Sequence, residues 1–148
     1  MITQSDLSLL SAIAQGERLP LRDAQKFFDK IISEIIRERD SRCVFHPANK
    51  PRPSVLAHAH IIPRAHHATR WHIRNGISLC YGCHRWFDRE QHIRRRDYAD
   101  TMFISEQKLR LISNGWTHEE LQKLAIASMQ PWDKNIIVVA LQLQSYLK

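Results

Sequence analysis

Two stretches in the middle of the chain decide its fold: residues 57–64 read AHAHIIPR, and residues 75–84 read NGISLCYGCH. Alternating and β-branched residues over 54–62 predict a β-strand, and the ISL triplet at 77–79 predicts a second, shorter strand. Between them, 63–76 is a basic, histidine-rich loop. We expect a helix to begin at His84 and to continue through Phe87. The order along the chain is therefore strand, loop, strand, helix.

A metal clip is predicted beside this unit. Cys80-x-x-Cys83 places two thiolates where they can bind one tetrahedral ion, and Cys43-x-x-His46 upstream has the same spacing. The four residues form a Cys3His set that uses all three cysteines of the chain. The expected ion is structural Zn2+, which would join the end of the preceding helix to the helix after Cys83. Two alternatives stay open. The thiols can be buried and metal-free, or the fourth ligand can be another histidine, namely His58, His66 or His67.

Three features of the two central stretches occur together. His60 precedes Ile-Ile-Pro, Asn75 lies nine residues before His84, and His84 directly follows the Cys-x-x-Cys motif. Over residues 43–90 the chain therefore resembles the HNH nuclease family, in which a β-hairpin and a helix surround one metal ion (the ββα-metal fold). Residues 28–40 resemble the helix that leads into the zinc clip of phage recombination nucleases of the NinG type.

The resemblance implies a catalytic role for each of three residues. His60 matches the general base, which would take a proton from the attacking water, and an imidazole titrates near neutrality. Asn75 matches the residue that orients this imidazole, through bonds to the ring or to nearby backbone. His84 matches a ligand of a catalytic Mg2+ or Mn2+ that acts as a Lewis acid on the scissile phosphate. Family behaviour also implies products with 5′ phosphate and 3′ hydroxyl ends.

The chain departs from the family pattern at the second metal ligand. HNH enzymes commonly carry Asp, Glu or His directly before the general base, and Ala59 occupies that position here. His58 shares a strand face with His60, and Asp88 lies one helical turn after His84, so either can supply the ligand. Each also has a structural interpretation: His58 as a strand histidine bonded to the backbone, and Asp88 as a paired surface charge.

Arginines surround this unit and predict contacts with phosphate, because a guanidinium pairs well with phosphate oxygens. The predicted DNA-binding residues are Arg64, Arg70, Arg74, Arg85 and Arg89. The run at 94–96 extends the basic segment, either as a DNA contact or as a solvated helix face. Trp71 and Trp86 can stack on bases, although packing against the clip is the more ordinary use of such side chains.

Helices are predicted on both sides of the core. Apolar residues recur at helical spacing over 1–16 and again from Pro20 to Asp40. After the core, cap and stop residues predict helices from Ser105 to Asn114, from Thr117 onward, and over 134–147. The expected architecture is α+β in a single domain, 1–148. It divides into N-terminal helices (1–42), a nuclease core (43–90) and a C-terminal helical extension (91–148).

The amino-acid composition indicates a folded protein that binds a polyanion. The 148 residues carry 22 Lys and Arg against 15 Asp and Glu, a formal charge of +7, and 43% of them are hydrophobic. A disordered basic tail is excluded by that apolar content, and no stretch is apolar for long enough to span a membrane. The first residues lack the pattern of a signal peptide, so we expect a cytoplasmic protein of a bacterium or a phage-infected cell.

The leading hypothesis is a metal-dependent HNH endonuclease that acts on duplex or branched DNA, by nicking or by double-strand cleavage. One alternative is a non-catalytic, zinc-stabilised nucleic-acid-binding module, which Ala59 favours. Another is a phage adaptor that docks through its helical ends. RNA remains an alternative substrate, and a homodimer through the C-terminal helix is a further expectation.

Overall fold

The computed structural model describes residues 1–46, 55–90, 106–132 and 134–148, with side chains as far as residue 88 in the second range. These residues form a mixed α+β protein with one small sheet. The elements are α1 (Gln4–Ala14), α2 (Leu21–Asp40), β1 (Ala57–His60), a 3-10 turn (Ile73–Asn75), β2 (Gly76–Leu79), α3 (Tyr81–Glu90), α4 (Glu106–Ser113), α5 (His118–Ser128) and α6 (Ile136–Tyr146).

The two strands form an antiparallel hairpin in which Ala57 pairs with Leu79 and His60 pairs with Gly76. Because side chains alternate along a strand, His58 and His60 lie on one face, and Ala59 lies on the other, where it is fully buried. A Cβ at residue 76 would stand 2.3 Å from the His58 Nε2 atom, so only glycine fits opposite the histidine face.

The first strand is shorter than the sequence predicts. Pairing stops at His60 because the next two amides bond to one residue: Ile61 N donates to the Asn75 carbonyl oxygen (2.9 Å), and Ile62 N donates to Asn75 Oδ1 (2.7 Å). For Ile62 the Asn75 side chain thus takes the place of a backbone partner. Part of the predicted strand, at residue 54, lies outside the described ranges.

The third helix begins three residues earlier than predicted, at Tyr81 rather than His84. The His84 amide donates to the Cys80 carbonyl oxygen (2.8 Å), which is the first hydrogen bond of a helical turn. The Cys80-x-x-Cys83 segment is therefore the first turn of α3 and not a separate loop before it. As a result Cys83 and His84 project from one rigid element.

The flanking helices build a core of their own. α1 starts at a capping box, in which Thr3 and Asp6 exchange hydrogen bonds, and it is followed by Gly16 at a φ of 105°. α1 and α2 bury apolar side chains against α6, although α6 is separated from them by the whole centre of the chain. The fully buried members include Leu10, Ile13, Phe28, Ile31, Ile32, Ile36, Ala140 and Leu143.

A second core lies on the other side of the hairpin. The face that carries Ala59 packs with Phe87 of α3 and with α4 and α5, through Leu111 and Leu121. The predicted C-terminal extension is therefore split between two cores, because α4 and α5 cover the hairpin while α6 returns to the N-terminal helices. None of the described helices is both long and apolar enough to cross a lipid bilayer.

Candidate active site

Helix α2, strand β1, the loop after it and helix α3 enclose a cleft of about 390 Å³. The hairpin supplies the floor, since its histidine face is turned towards α2. The residues that line the cleft are Asp29, Ser33, His58, His60, Pro63, Arg64, His84 and Asp88. The structure thus brings five of the sequence-predicted site residues to one place.

The loop that follows His60 selects the tautomer of its neutral ring. Its Nε2 atom lies 3.2 Å from the carbonyl oxygen of Arg70. A carbonyl oxygen only accepts, so Nε2 carries the proton and Nδ1 keeps the basic lone pair. Burial lowers the pKa of His60 to about 4, against the opposing charge of Asp29. The ring is therefore neutral at pH 7, but its pKa lies below the near-neutral value expected from the sequence, because the side chain is buried.

Asn75 is fully buried and acts on the backbone of the same loop. Besides accepting from Ile62 N, it donates through Nδ2 to the carbonyl oxygens of Ile62 (3.1 Å) and Thr69 (2.9 Å). It thereby closes the loop between the two strands. Of the two modes expected for this residue, bonds to the ring or to nearby backbone, these hydrogen bonds are of the second kind.

His84 and Asp88 project into the cleft from successive turns of α3. Their Nε2 and Oδ2 atoms are 3.2 Å apart, and both side chains reach solvent. An imidazole nitrogen and a carboxylate oxygen this close together can share a divalent cation. No third His, Cys, Asp or Glu of the described residues lies close enough to complete a protein-only set with them. Water and substrate oxygens would have to fill the remaining positions.

His58 is placed differently from these two residues. Its Nδ1 atom lies 3.0 Å from Ser33 Oγ, and its buried Nε2 atom, packed against Gly76, has no partner among the described residues. Burial, with smaller repulsion from His60 and nearby cations, lowers the pKa of His58 to about 2. Its ring lies 4.2 Å from that of His60, measured between centroids. His58 is therefore a neutral ring packed beside the candidate general base.

Two residues of the cleft, Asp29 and Ser33, come from α2 and belong to no motif in the sequence. Asp29 accepts from the Arg70 guanidinium (2.6 and 2.9 Å) and from Trp71 Nε1 (2.9 Å). The only sequence signal for this pair is their spacing of four residues, which puts them on one helix face. That spacing is too common to indicate a site by itself.

The predicted phosphate contacts fall into two groups. Arg70 is held by Asp29, and Arg74 bonds to Glu120 (2.6 Å) and lies 4.4 Å from the centre of the Trp116 ring. Both guanidinium groups are thus engaged within the protein. By contrast, Arg64 lines the cleft, and Arg85 is exposed on α3 beside the ring of Tyr81. The Arg89 side chain and the arginine run at 94–96 lie outside the described residues.

The two tryptophans take different places. Trp86 lies 6.2 Å from Phe45, between centroids, and thus packs beside the predicted clip. The interpretation that Trp71 also packs there is wrong, because its ring contacts Phe28 (5.7 Å) and Trp132 (5.5 Å) in the core of the flanking helices. Its hydrogen bond to Asp29 explains this position, since α2 carries both Phe28 and Asp29.

A separate group of ligand atoms lies outside the lining of the cleft. One atom from each of Cys43, His46, Cys80 and Cys83 lies within 4.8 Å of the others, and Cys80 Sγ is 3.8 Å from His46 Nδ1. Tetrahedral Zn2+ holds such atoms about 3.5–3.8 Å apart, so the donor set fits zinc and the distance from Cys80 to His46 agrees with it. Of the candidate fourth ligands, it is His46 that joins the cysteines.

The thiols of this group already influence one another. Burial alone would raise the pKa of Cys80, but hydrogen bonds from the Cys83 amide and from neighbouring side chains lower it to about 7. Burial and the adjacent thiols raise the pKa of Cys83 to about 12. Such competition for protons is what a cation would relieve by binding all three as thiolates.

Comparison with known families adds one finding. Residues 43–93 match the sequence model of a family described as HNH endonuclease. This match suggests nuclease activity, with a bound metal and a nucleic-acid substrate, and it gives no support to a phage or NinG-type subgroup. The matched segment includes 47–54 and 91–93, which lie outside the described ranges. No curated protein and no solved structure matches the chain.

Proposed function

We propose that the protein is a metal-dependent endonuclease that hydrolyses phosphodiester bonds in DNA. The catalytic unit would be a ββα-metal core over 43–90, within a single domain completed by the helices of 1–42 and 91–148. The observation that carries the proposal is the joint position of His60 and His84 in one cleft. A neutral base and a candidate metal ligand must share a cavity for a water molecule to be activated against a bound phosphate.

In this mechanism His60 accepts the proton of the attacking water at Nδ1. The Arg70 carbonyl keeps the proton on Nε2, which leaves Nδ1 as the basic nitrogen of the neutral ring. Asn75 holds the loop that carries this carbonyl, and it is therefore a positioning residue for the base. His58 packs beside the His60 ring, and we assign it to support of that ring rather than to metal binding.

His84 and Asp88 would hold a divalent cation, Mg2+ or Mn2+, which supplies Lewis-acid stabilisation of the phosphate and the leaving oxygen. Ala59 does not remove a ligand from this arrangement, because its position on the strand faces the second core and not the cleft. The departure from the family pattern is thus accommodated by moving the second ligand from the strand to the helix.

Cys43, His46, Cys80 and Cys83 would bind a structural zinc ion that holds the start of α3. Because His84 is the next residue after Cys83 on the same helix, zinc would also set the direction of the catalytic ligand. Arg64 at the rim of the cleft and Arg85 on α3 would contact the phosphates of the substrate. Arg70 and Arg74 would instead position the loop, since both are bonded within the protein.

The test is a plasmid-nicking assay with Mg2+, with Mn2+ and with EDTA. We expect metal-dependent cleavage, and we expect His60→Ala to lower the rate by about 100- to 10,000-fold, which is the usual effect of removing a general base. DNA binding measured by gel shift should be retained. The matched control is His118→Ala, because His118 is an exposed histidine at the start of α5 and lines no part of the cleft.

Cleavage that persists in His60→Ala would overturn the mechanism. DNA binding by the wild-type protein without cleavage in either metal would overturn the enzymatic assignment.

A further inference from the structure

Helix α2 forms one wall of the cleft, although it lies outside the segment that matches the nuclease family. Asp29 and Ser33 reach the cleft from this helix. Steps of three and four residues stay on one helix face, so the residues at positions 22 and 26 continue the line of 29 and 33. Those positions are occupied by Arg22 and Lys26.

Both side chains are solvent-exposed. Neither forms a hydrogen bond or an ion pair with another residue in the described ranges. The acidic member of the same face, Asp29, is neutralised by its two bonds to Arg70. The face therefore presents two positive charges, neither of them engaged in an ion pair with a described residue, in line with the two α2 residues of the cleft.

We infer that Arg22 and Lys26 form a phosphate-binding track on α2 that receives the backbone of duplex DNA whose scissile bond lies in the cleft. The inference rests on the proposed function, because a substrate in the cleft is what would bring the DNA backbone past this helix.

The dimensions and charge of the track suit duplex DNA. From residue 22 to residue 33 an α-helix rises roughly 16 Å, which is about the rise of five base pairs. Both α2 and α3 supply residues to the cleft, and Arg85 is exposed on α3. A duplex lying across the cleft would therefore have exposed cations of both helices within reach. Contacts of these two cations with phosphate groups would hold DNA without regard to its base sequence, since phosphate contacts carry no sequence information.

The experiment measures the affinity of the full-length protein for a 20-base-pair duplex by fluorescence anisotropy, over a range of salt concentrations and without added divalent metal. Each phosphate contact adds about 0.9 to the slope of log K against log salt concentration. We expect the double variant Arg22→Ala, Lys26→Ala to lower that slope by about 1.8, equally for two duplexes of unrelated sequence.

The matched control removes two exposed cations elsewhere, by Lys123→Ala on α5 and Lys148→Ala at the end of the chain, and should leave the slope unchanged. The exchange Arg22→Lys, Lys26→Arg keeps both charges and should restore the wild-type slope. Alanine favours helix at these exposed positions, and circular dichroism checks that each variant is folded.

Cleavage by the wild-type protein is measured in parallel, so that the two proposals are tested separately. An active wild-type enzyme whose slope is unaffected by the α2 double variant would overturn the track and leave the nuclease. A lowered slope in a protein that cleaves nothing would support the track and overturn the nuclease. Equal losses in the α2 variant and the control pair would also overturn the track, because the effect would then be one of net charge.

Discussion

Asn75 joins two parts of the loop between the strands from inside the protein. Its side chain satisfies the amide and the carbonyl of Ile62 and the carbonyl of Thr69, and none of its surface is exposed. When one partner of a buried hydrogen bond is removed, the loss of folding free energy exceeds the net contribution of the bond, because the polar group that remains cannot bond to water instead. This residue therefore links the local geometry of the base to the stability of the whole loop.

We expect Asn75→Ala to lower the free energy of unfolding by about 3 kcal/mol, since it leaves three buried backbone groups without a hydrogen-bond partner. Urea denaturation gives the value. Asn114→Ala is the matched control: Asn114 makes one exposed bond to the Arg110 carbonyl, so its loss should cost less than about 1 kcal/mol. Equal costs for the two substitutions would contradict the role given to Asn75.

His60 shows how a single backbone contact can select a reactive atom. The Arg70 carbonyl accepts from Nε2, and the side chain of the same residue is bonded to Asp29. The position of the carbonyl thus depends on a carboxylate in a distant helix.

Among the elements, α2 is connected to the loop after β1 by Asp29, which bonds to Arg70 and Trp71. We expect Asp29→Asn to lower the cleavage rate constant by about ten- to a hundredfold, because small displacements of a catalytic group are costly. DNA affinity should not fall, since the substitution removes a negative charge beside the phosphate site. Single-turnover kinetics and anisotropy measure the two quantities separately.

Asp23→Asn controls for this change. Asp23 lies on the same helix, is exposed, and loses the same charge without lining the cleft. It should leave the cleavage rate unchanged. If the two variants cleave at the same rate, Asp29 does not position the base.

Zinc bound to Cys43, His46, Cys80 and Cys83 would join α2 to α3, because Cys43 and His46 follow α2 while Cys80 and Cys83 lie at the start of α3. We expect elemental analysis to find one zinc per chain. Cys80→Ser and His46→Ala should lose the metal and the near-ultraviolet signal of Trp86, which packs beside Phe45. His118→Ala keeps the clip intact and should retain zinc. A folded wild-type protein free of zinc would refute the clip.

At the scale of the whole molecule, the last helix closes the first core. α6 packs its buried face on α1 and α2, so the two ends of the chain depend on each other. The opposite face of α6 is exposed, and Leu141 on that face retains 53% of its accessible surface. The helix thus offers a matched pair of leucines for measuring how much this packing contributes.

We expect Leu143→Ala to lower the free energy of unfolding by about 3 kcal/mol, since Leu143 is fully buried between the helices. Leu141→Ala should change it by no more than about 0.5 kcal/mol. Thermal or urea unfolding compares the two variants. A similar effect of both would mean that α6 does not belong to the core.

Much of the central chemistry could be predicted from the sequence because it depends on short spacings. The two cysteines of Cys80-x-x-Cys83 are three residues apart, and the order of strand, loop, strand and helix follows from patterns of a few residues each. A turn or a strand constrains groups at such distances directly. The start of α3 was misplaced by three residues, because the sequence does not show that a metal-binding motif and a helical turn can be the same segment.

The role of α2 and the fate of the arginines were decided only by tertiary structure. Nothing near Asp29 in the sequence indicates that it will contact Arg70. Likewise, the sequence around Arg74 does not indicate whether this side chain faces solvent or pairs with Glu120, as it does in the structure. The return of α6 to α1 is of the same kind. Residue spacing determines which groups share a turn. Contacts across 40 or more residues, such as that between Asp29 and Arg70, which lies 41 residues later, arise instead from the packing of apolar faces. An apolar face can pack against several different partners, so its local sequence does not specify which one it contacts.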